Sequence, residues 1–108
     1  MNQSILLTAL MTLWINYMIA NLLFSKKFRK HYKKRIIHDV ALDRRSRNRI
    51  DLFVNNSSHP LLRDHSLKGS QEGSRAFWVT GDVRIVYQRI DNNTVEFLDI
   101  GAHNQVYR

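Results

Sequence analysis

A chain of 108 residues that is 44% apolar has room for one domain and one modest core, and it is too apolar to remain disordered. Without cysteine it can form neither a disulfide nor a thiolate metal site, which fits a reducing compartment. The formal net charge of +8 is unevenly placed: eleven of the seventeen Lys and Arg fall between Lys26 and Arg49, against only Asp39 and Asp43, so a polyanionic partner is favoured, the alternative being a solvated helix face.

The first seventeen residues, "MNQSILLTALMTLWINY", carry no charged side chain. No basic stretch precedes the apolar run and no A-x-A pattern follows it, which argues against a secretory signal. "MIANLLFS" alternates as a first strand does. If residues 19–24 join a sheet, the apolar stretch left from Ile5 to Tyr17 is 13 residues, short of the roughly 20 that span a bilayer. Residues 1–17 therefore read as an upstream extension, with Met18 as the functional start and residues 18–108 as the domain. The alternative is a membrane anchor running on to Phe24, with the basic cluster holding the domain on the cytoplasmic side.

Ser25 is a good helix N-cap, and Phe28, Tyr32 and Ile36 recur every four residues, which predicts an amphipathic helix. A second helix is expected from about Leu42 to Val54, with Ile50, Phe53 and Val54 inward and "RRSRNR" exposed. "NNSSHP" ends it, and "LLRDHSLKGSQEG" reads as a loop. The period then changes to two. "RAFWV", "VRIVYQRI" and "TVEFLDI" predict three strands, and the short turns "TGD" and "DNN" make them antiparallel. The expected architecture is α+β: an N-terminal strand and two helices packed on a mainly antiparallel sheet of about four strands.

No phosphate-cradling glycine loop, zinc spacing or Ser-His-Asp arrangement is visible. His31 and His38 read as surface or helix-end residues, and His59 as a loop residue. His65 shares its loop with Asp64 and Lys68, and Asp82 marks a hairpin corner. Arg84 inside "VRIVYQ" is costly unless that face is solvated or binds an anion. The sheet thus has either a merely wet face or an open face carrying Arg75, Arg84, a His and a Tyr towards a phosphate. The ending "GAHNQVY" supplies His103 and Tyr107.

Three segments at this spacing, "DHSLKG", "GDVRIVYQ" and the terminal "GAHNQVY", resemble the RelE/ParE superfamily of bacterial type II toxin–antitoxin toxins, most closely the YafQ-like mRNA interferases. The resemblance covers Met18 to Arg108 and implies a RelE-like fold. It also implies ribosome-dependent cleavage of mRNA by 2′-hydroxyl attack, without metal or cofactor, and a cytoplasmic location. His65, Asp82, His103 and Tyr107 match the YafQ-like catalytic positions, and Arg84 matches an arginine that RelE-type toxins place on the scissile phosphate. The resemblance implies His103 as the acid, Asp82 or His65 as the base, and Tyr107 as a stacking or positioning ring. Lys68 and Arg75 would assist Arg84. Trp78 stands where the pattern has a second sheet histidine, and could stack on a base. Arg44, Arg45, Arg47 and Arg49 would grip ribosomal RNA through phosphates. The implied partners are a cognate antitoxin, the ribosome and mRNA. Two alternatives belong to other classes: a ParE-like toxin that binds DNA gyrase and cuts nothing, and an inactive, membrane-tethered relic.

Overall fold

The computed structural model describes residues 19–107, so the leader and Met18 lie outside the described residues. Strand β1 (Asn21–Phe24) leads into helix α1 (Lys26–Arg35) and helix α2 (Val40–Asn55). A 3-10 turn at Pro60–Leu62 precedes the two-residue strand β2 (His65–Ser66), and a second turn occupies Gly69–Gln71. Strands β3 (Arg75–Trp78), β4 (Val83–Asp91) and β5 (Thr94–Ala102) form the meander, and helix α3 (His103–Val106) follows at once. None of the described helices is long and apolar enough to cross a membrane.

The sheet has five strands rather than four, in the order β1-β5-β4-β3-β2. The added one is β2, where His65 pairs with Ala76 and Ser66 with Arg75 inside the segment expected to be loop. The remaining ladder is antiparallel from β2 to β5, and only β1 runs parallel, beside Thr94–Phe97 of β5.

Ser25 caps the first helix as expected, and the second begins at Val40, two residues before the expected start near Leu42, behind an unanticipated cap at Asp39. The Ser25 hydroxyl accepts from the Phe28 N–H, and the Asp39 carboxylate accepts from the Leu42 N–H, so each N-terminus has a capping side chain. Phe28 of α1 and Phe53 of α2 are buried against one face of the sheet. There Phe53 stacks on Phe77 at 4.5 Å between centroids and meets Tyr87 edge-on at 4.8 Å. This aromatic nucleus is the main core, with Ile85, Val95 and Ile100 filling the strands around it. The opposite face of the sheet carries a smaller apolar cluster of Ala76, Val86 and Val106, with Leu67, Leu98 and Tyr107 packed on it.

Strand β1 is four residues long and leaves residues 98–102 of β5 without a strand neighbour on that side. Helix α1 takes its place. The Ser25 N–H donates to the Phe97 carbonyl and its hydroxyl to the Leu98 carbonyl, both at 2.9 Å. The Arg35 guanidinium donates to the Ile100 carbonyl at 3.0 Å. Lys27, His31 and Arg35, one turn apart on the same helix face, converge on the buried Asp99.

That approach explains the glycine in "DIGAH". A Cβ on Gly101 would stand 2.6 Å from Arg35 Nη1 and 2.7 Å from Gln105 Oε1. Gln105 Oε1 in turn accepts the Ala102 N–H, holding the start of α3. Gly101→Ala is expected to push both side chains away and to cost about 1–2 kcal/mol through the loss of one or both hydrogen bonds. Urea unfolding checks this, with Gly101→Ala compared against an Ala substitution at exposed Asn104.

Candidate functional site

Alternation along the strands decides which side chains reach the sparsely covered face. On β3 and β4, Trp78 pairs with Arg84 and Ala76 with Val86, and these point away from the aromatic core. The hairpin between them turns through "TGD", where the Thr80 hydroxyl accepts from the N–H groups of Asp82 and Val83. At the end of β5, α3 carries His103 and Tyr107 back over this face.

His65, Tyr107 and His103 lie in a row. The Tyr107 hydroxyl is 3.4 Å from His65 Nε2, and its ring meets the His103 ring edge-on with centroids 4.5 Å apart. His65 Nδ1 lies 2.9 Å from the carbonyl oxygen of Arg63. A carbonyl only accepts, so Nδ1 carries a proton, and in the neutral ring Nε2 is then the acceptor facing Tyr107. Both imidazoles are exposed. Asp82 joins the row through its carboxylate, which accepts the His103 backbone N–H at 3.4 Å. It touches the backbone of His103 at the start of α3 rather than the ring. Burial raises the Tyr107 phenol above its ordinary pKa, while the neighbouring Arg84 cation opposes the shift.

Arg84 sits on the expected face but is neither solvated nor free. Only 6% of it is exposed. Its Nη1 donates to the Thr80 carbonyl at 2.9 Å and its Nη2 to the Gly81 carbonyl at 3.0 Å, which ties the hairpin to its own strand. Its Cζ lies 3.9 Å from the centroid of the Trp78 ring. Burial of the cation is met by backbone carbonyls and an aromatic face, an arrangement that needs no bound anion. The guanidinium of Arg63, which is exposed, lies 4.4 Å from the same ring. Two cations thus lie against the indole that the sequence reading offers as a stacking surface for a base.

Arg75 departs from the sequence expectation. The period of two puts it with Phe77 on the core side, where it forms a forked pair with Asp64 at 3.0 and 3.1 Å. The Tyr87 hydroxyl donates to the same carboxylate at 2.6 Å. The pair fixes Asp64, and with it the adjacent His65, to the body of the sheet. Sequence reading noted Asp64 but missed Tyr87; its signal is a polar-tipped aromatic at a core position of β4. Gln71, also unanticipated, ties the loop to α3 by donating to the Val106 carbonyl at 2.7 Å.

Lys68 is exposed at the N-terminal side of the second 3-10 turn, with no side-chain cap bond. Arg44, Arg45, Arg47 and Arg49 lie on α2, which packs on the opposite side of the sheet, so they form a separate surface. Arg47 is paired with Asp43. Among the described residues, no three His, Asp or Glu side chains converge closely enough to hold a metal ion.

Comparison with known proteins gives this geometry a family. A sequence model of the bacterial YafQ toxins of type II toxin–antitoxin systems matches residues 20–108. The chain belongs to the YafQ toxin family. Its fold is that of YafQ from E. coli, at 22% identity and a TM-score of 0.67 over 82% of this chain and 98% of that one. The E. coli DinJ-YafQ toxin–antitoxin complex gives the same TM-score at 21% identity, covering 84% and 100%. A metal-bound toxin from Helicobacter pylori is 26% identical, with a TM-score of 0.63 over 81% and 98%. None of the curated proteins matches.

Two expectations follow for this YafQ-family toxin. Arg84→Ala should cost about 1–3 kcal/mol of folding stability, because it strips donors from the hairpin carbonyls and a cation from the indole; chemical denaturation measures it. Burial and the Asp64 carboxylate both raise the Tyr87 phenol far above its ordinary value. In the unfolded chain it ionises near pH ~10, so its contribution is complete below that pH and is lost as pH rises further. Unfolding midpoints recorded from neutral pH upwards should therefore decline above pH ~10, and less steeply in Tyr87→Phe.

Proposed function

We propose that this toxin is a ribosome-dependent mRNA endonuclease, acting in the cytoplasm without metal or cofactor. The observation that carries this reading is the row His65–Tyr107–His103, with the tautomer of His65 fixed by a backbone carbonyl. Two exposed imidazoles in contact with one phenol offer one acceptor and one site for a transferable proton. A toxin that only binds its target needs neither.

The reaction is a transesterification. His65 Nε2 accepts the proton of the RNA 2′-hydroxyl, whose oxygen attacks the adjacent phosphorus. The bond from phosphorus to the 5′-oxygen breaks, and His103, protonated beforehand, gives its proton to that oxygen. The products are a 2′,3′-cyclic phosphate and a 5′-hydroxyl. Tyr107 spaces the two imidazoles and packs on the nucleotide between them. Asp82 holds the start of α3, and so the His103 ring, in place. Arg84 contributes its fixed positive charge from beneath the phosphorane.

The basic outer face of α2, with Arg44, Arg45, Arg47 and Arg49, would grip ribosomal RNA through phosphates on the side of the sheet away from the cut. Between α1 and α2 lies an open groove of about 760 Å³, lined by Phe24, Phe28, Tyr32, Ile37 and Ile50 and rimmed by Arg29, Lys33 and Arg47. An amphipathic, acidic segment of a cognate antitoxin matches it in both polarity and charge. The E. coli DinJ-YafQ toxin–antitoxin complex supports a cognate antitoxin as partner.

His103→Gln keeps the size of the side chain and some hydrogen bonding but removes proton transfer. It should lower the cleavage rate by about 10²- to 10⁴-fold with little change in folding stability, since the ring is exposed. The assay is cleavage of mRNA in purified translating ribosomes, read by primer extension. If His103→Gln remains fully toxic in cells, with mRNA intact and DNA supercoiling disturbed, the nuclease reading fails and gyrase binding replaces it.

A further inference from the structure

Arg63 is the residue that the proposed mechanism leaves unused and that the geometry singles out. It closes the 3-10 turn Pro60–Leu62 in a left-handed conformation, with φ 47° and ψ 43°. It is the only non-glycine residue with positive φ among those described. Glycine or asparagine would take this conformation with less strain, so an arginine there points to a function of its side chain. Its carbonyl sets the tautomer of His65. Its guanidinium lies over Trp78, on the indole that also carries Arg84.

The two cations differ in what they have left to give. Arg84 is buried, and its two terminal nitrogens already donate to backbone carbonyls. Arg63 is exposed, and no hydrogen-bond or ion-pair partner of its guanidinium is found among the described residues. An indole attracts one guanidinium readily. A second on the same ring adds a charge that repels the first, and an anion placed beside them relieves that repulsion. A planar guanidinium braced on an aromatic ring presents its remaining N–H edge with little freedom to lose, which suits a phosphate.

We infer that Arg63 is the substrate-phosphate-binding cation of this site, with Trp78 as its platform and Arg84 as the fixed charge beneath. The ligand class is a backbone phosphate of single-stranded RNA next to the scissile linkage. The inference rests on the nuclease reading for its biological meaning, but RNA binding tests it separately.

The experiment compares wild type with Arg63→Gln, Arg63→Lys and Arg63→Gly in two assays. The first is steady-state cleavage of mRNA on programmed ribosomes. Here Arg63→Gln should lose roughly 10- to 100-fold in kcat/KM, the effect of one hydrogen-bonded charge, and Arg63→Lys should recover part of it. The second is binding of a fluorescent oligoribonucleotide, 2′-deoxy at the cut site, across a salt series. Arg63→Gln should reduce the slope of log affinity against log salt by about 0.7, the value for one single-strand phosphate contact. Arg63→Gly should be as stable as wild type or more so, because it relieves the left-handed strain, yet bind RNA as weakly as Arg63→Gln. If Arg63→Gln binds the oligonucleotide with the wild-type affinity and salt slope, the inference is overturned, whatever the cleavage assay gives. If wild type cuts no mRNA while the salt slope still falls in Arg63→Gln, the phosphate site stands and the nuclease reading fails.

Discussion

A sheet edge has to be satisfied, and here the first strand is too short to do it. β1 pairs with Thr94–Phe97 and stops, and the rest of β5 presents carbonyls that would otherwise be buried without donors. Ser25 and Arg35 supply them, which lays α1 along the second half of β5. Lys27 and Arg35 on that side of α1 then meet the buried carboxylate of Asp99. The close approach of Arg35 leaves no room for a Cβ at residue 101. The glycine in turn lets Gln105 fold back onto the Ala102 N–H and start α3. His103 and Tyr107 are placed by that short helix. A deficit of backbone donors at one edge thus propagates, contact by contact, to the two residues that end the proposed site.

The two faces of the sheet are covered unequally, and this decides where a site can exist. Phe28 and Phe53 from the two long helices cover one face with a continuous aromatic core. The other face has only α3 and the segment around β2, over a cluster of three buried residues. A surface held by so little apolar area needs polar ties: Gln71 holds Val106 and Asp82 holds His103, while Arg75 and Tyr87 fix the β2 segment from the core side through Asp64. These ties, from β3, β4 and the two turns beside them, hold the short elements that carry His65, His103 and Tyr107. The groups proposed to react are therefore exposed while their backbones are fixed, as general acid–base chemistry requires.

What could be read in the sequence was what has a period. Phe28, Tyr32 and Ile36 every four residues, and the alternation in "VRIVYQRI", gave helices and strands close to those observed. β2 and α3 were missed because two and four residues carry no period at all, and Ala102 is no capping residue. Residues of the site were legible as types in short motifs, but their faces depended on register. Arg75 and Arg84 look alike in sequence, yet one pairs with Asp64 on the core side and the other lies under Trp78. Burial of Arg84 was not readable, because its partners are main-chain carbonyls, which every residue possesses. Arg63 left no sequence signal, since a left-handed φ is announced by glycine and not by arginine.

By the sequence resemblance Trp78 stands in place of a second sheet histidine, and the contacts of the indole give that reading a physical meaning. An indole cannot move a proton, but it can hold cations that a neutral or protonated imidazole would hold poorly or repel. Arg63 and Arg84 both lie against the Trp78 ring, which itself has no proton to transfer to a substrate oxygen. On the proposed reading, proton transfer then falls to two imidazoles alone. The tautomer of His65 is set by the Arg63 carbonyl, which makes it the acceptor. His103, across the Tyr107 ring, is left to be the donor. Arg63 thereby touches both halves of the problem, through its carbonyl to the base and through its guanidinium to the platform where the phosphate charge is to be met.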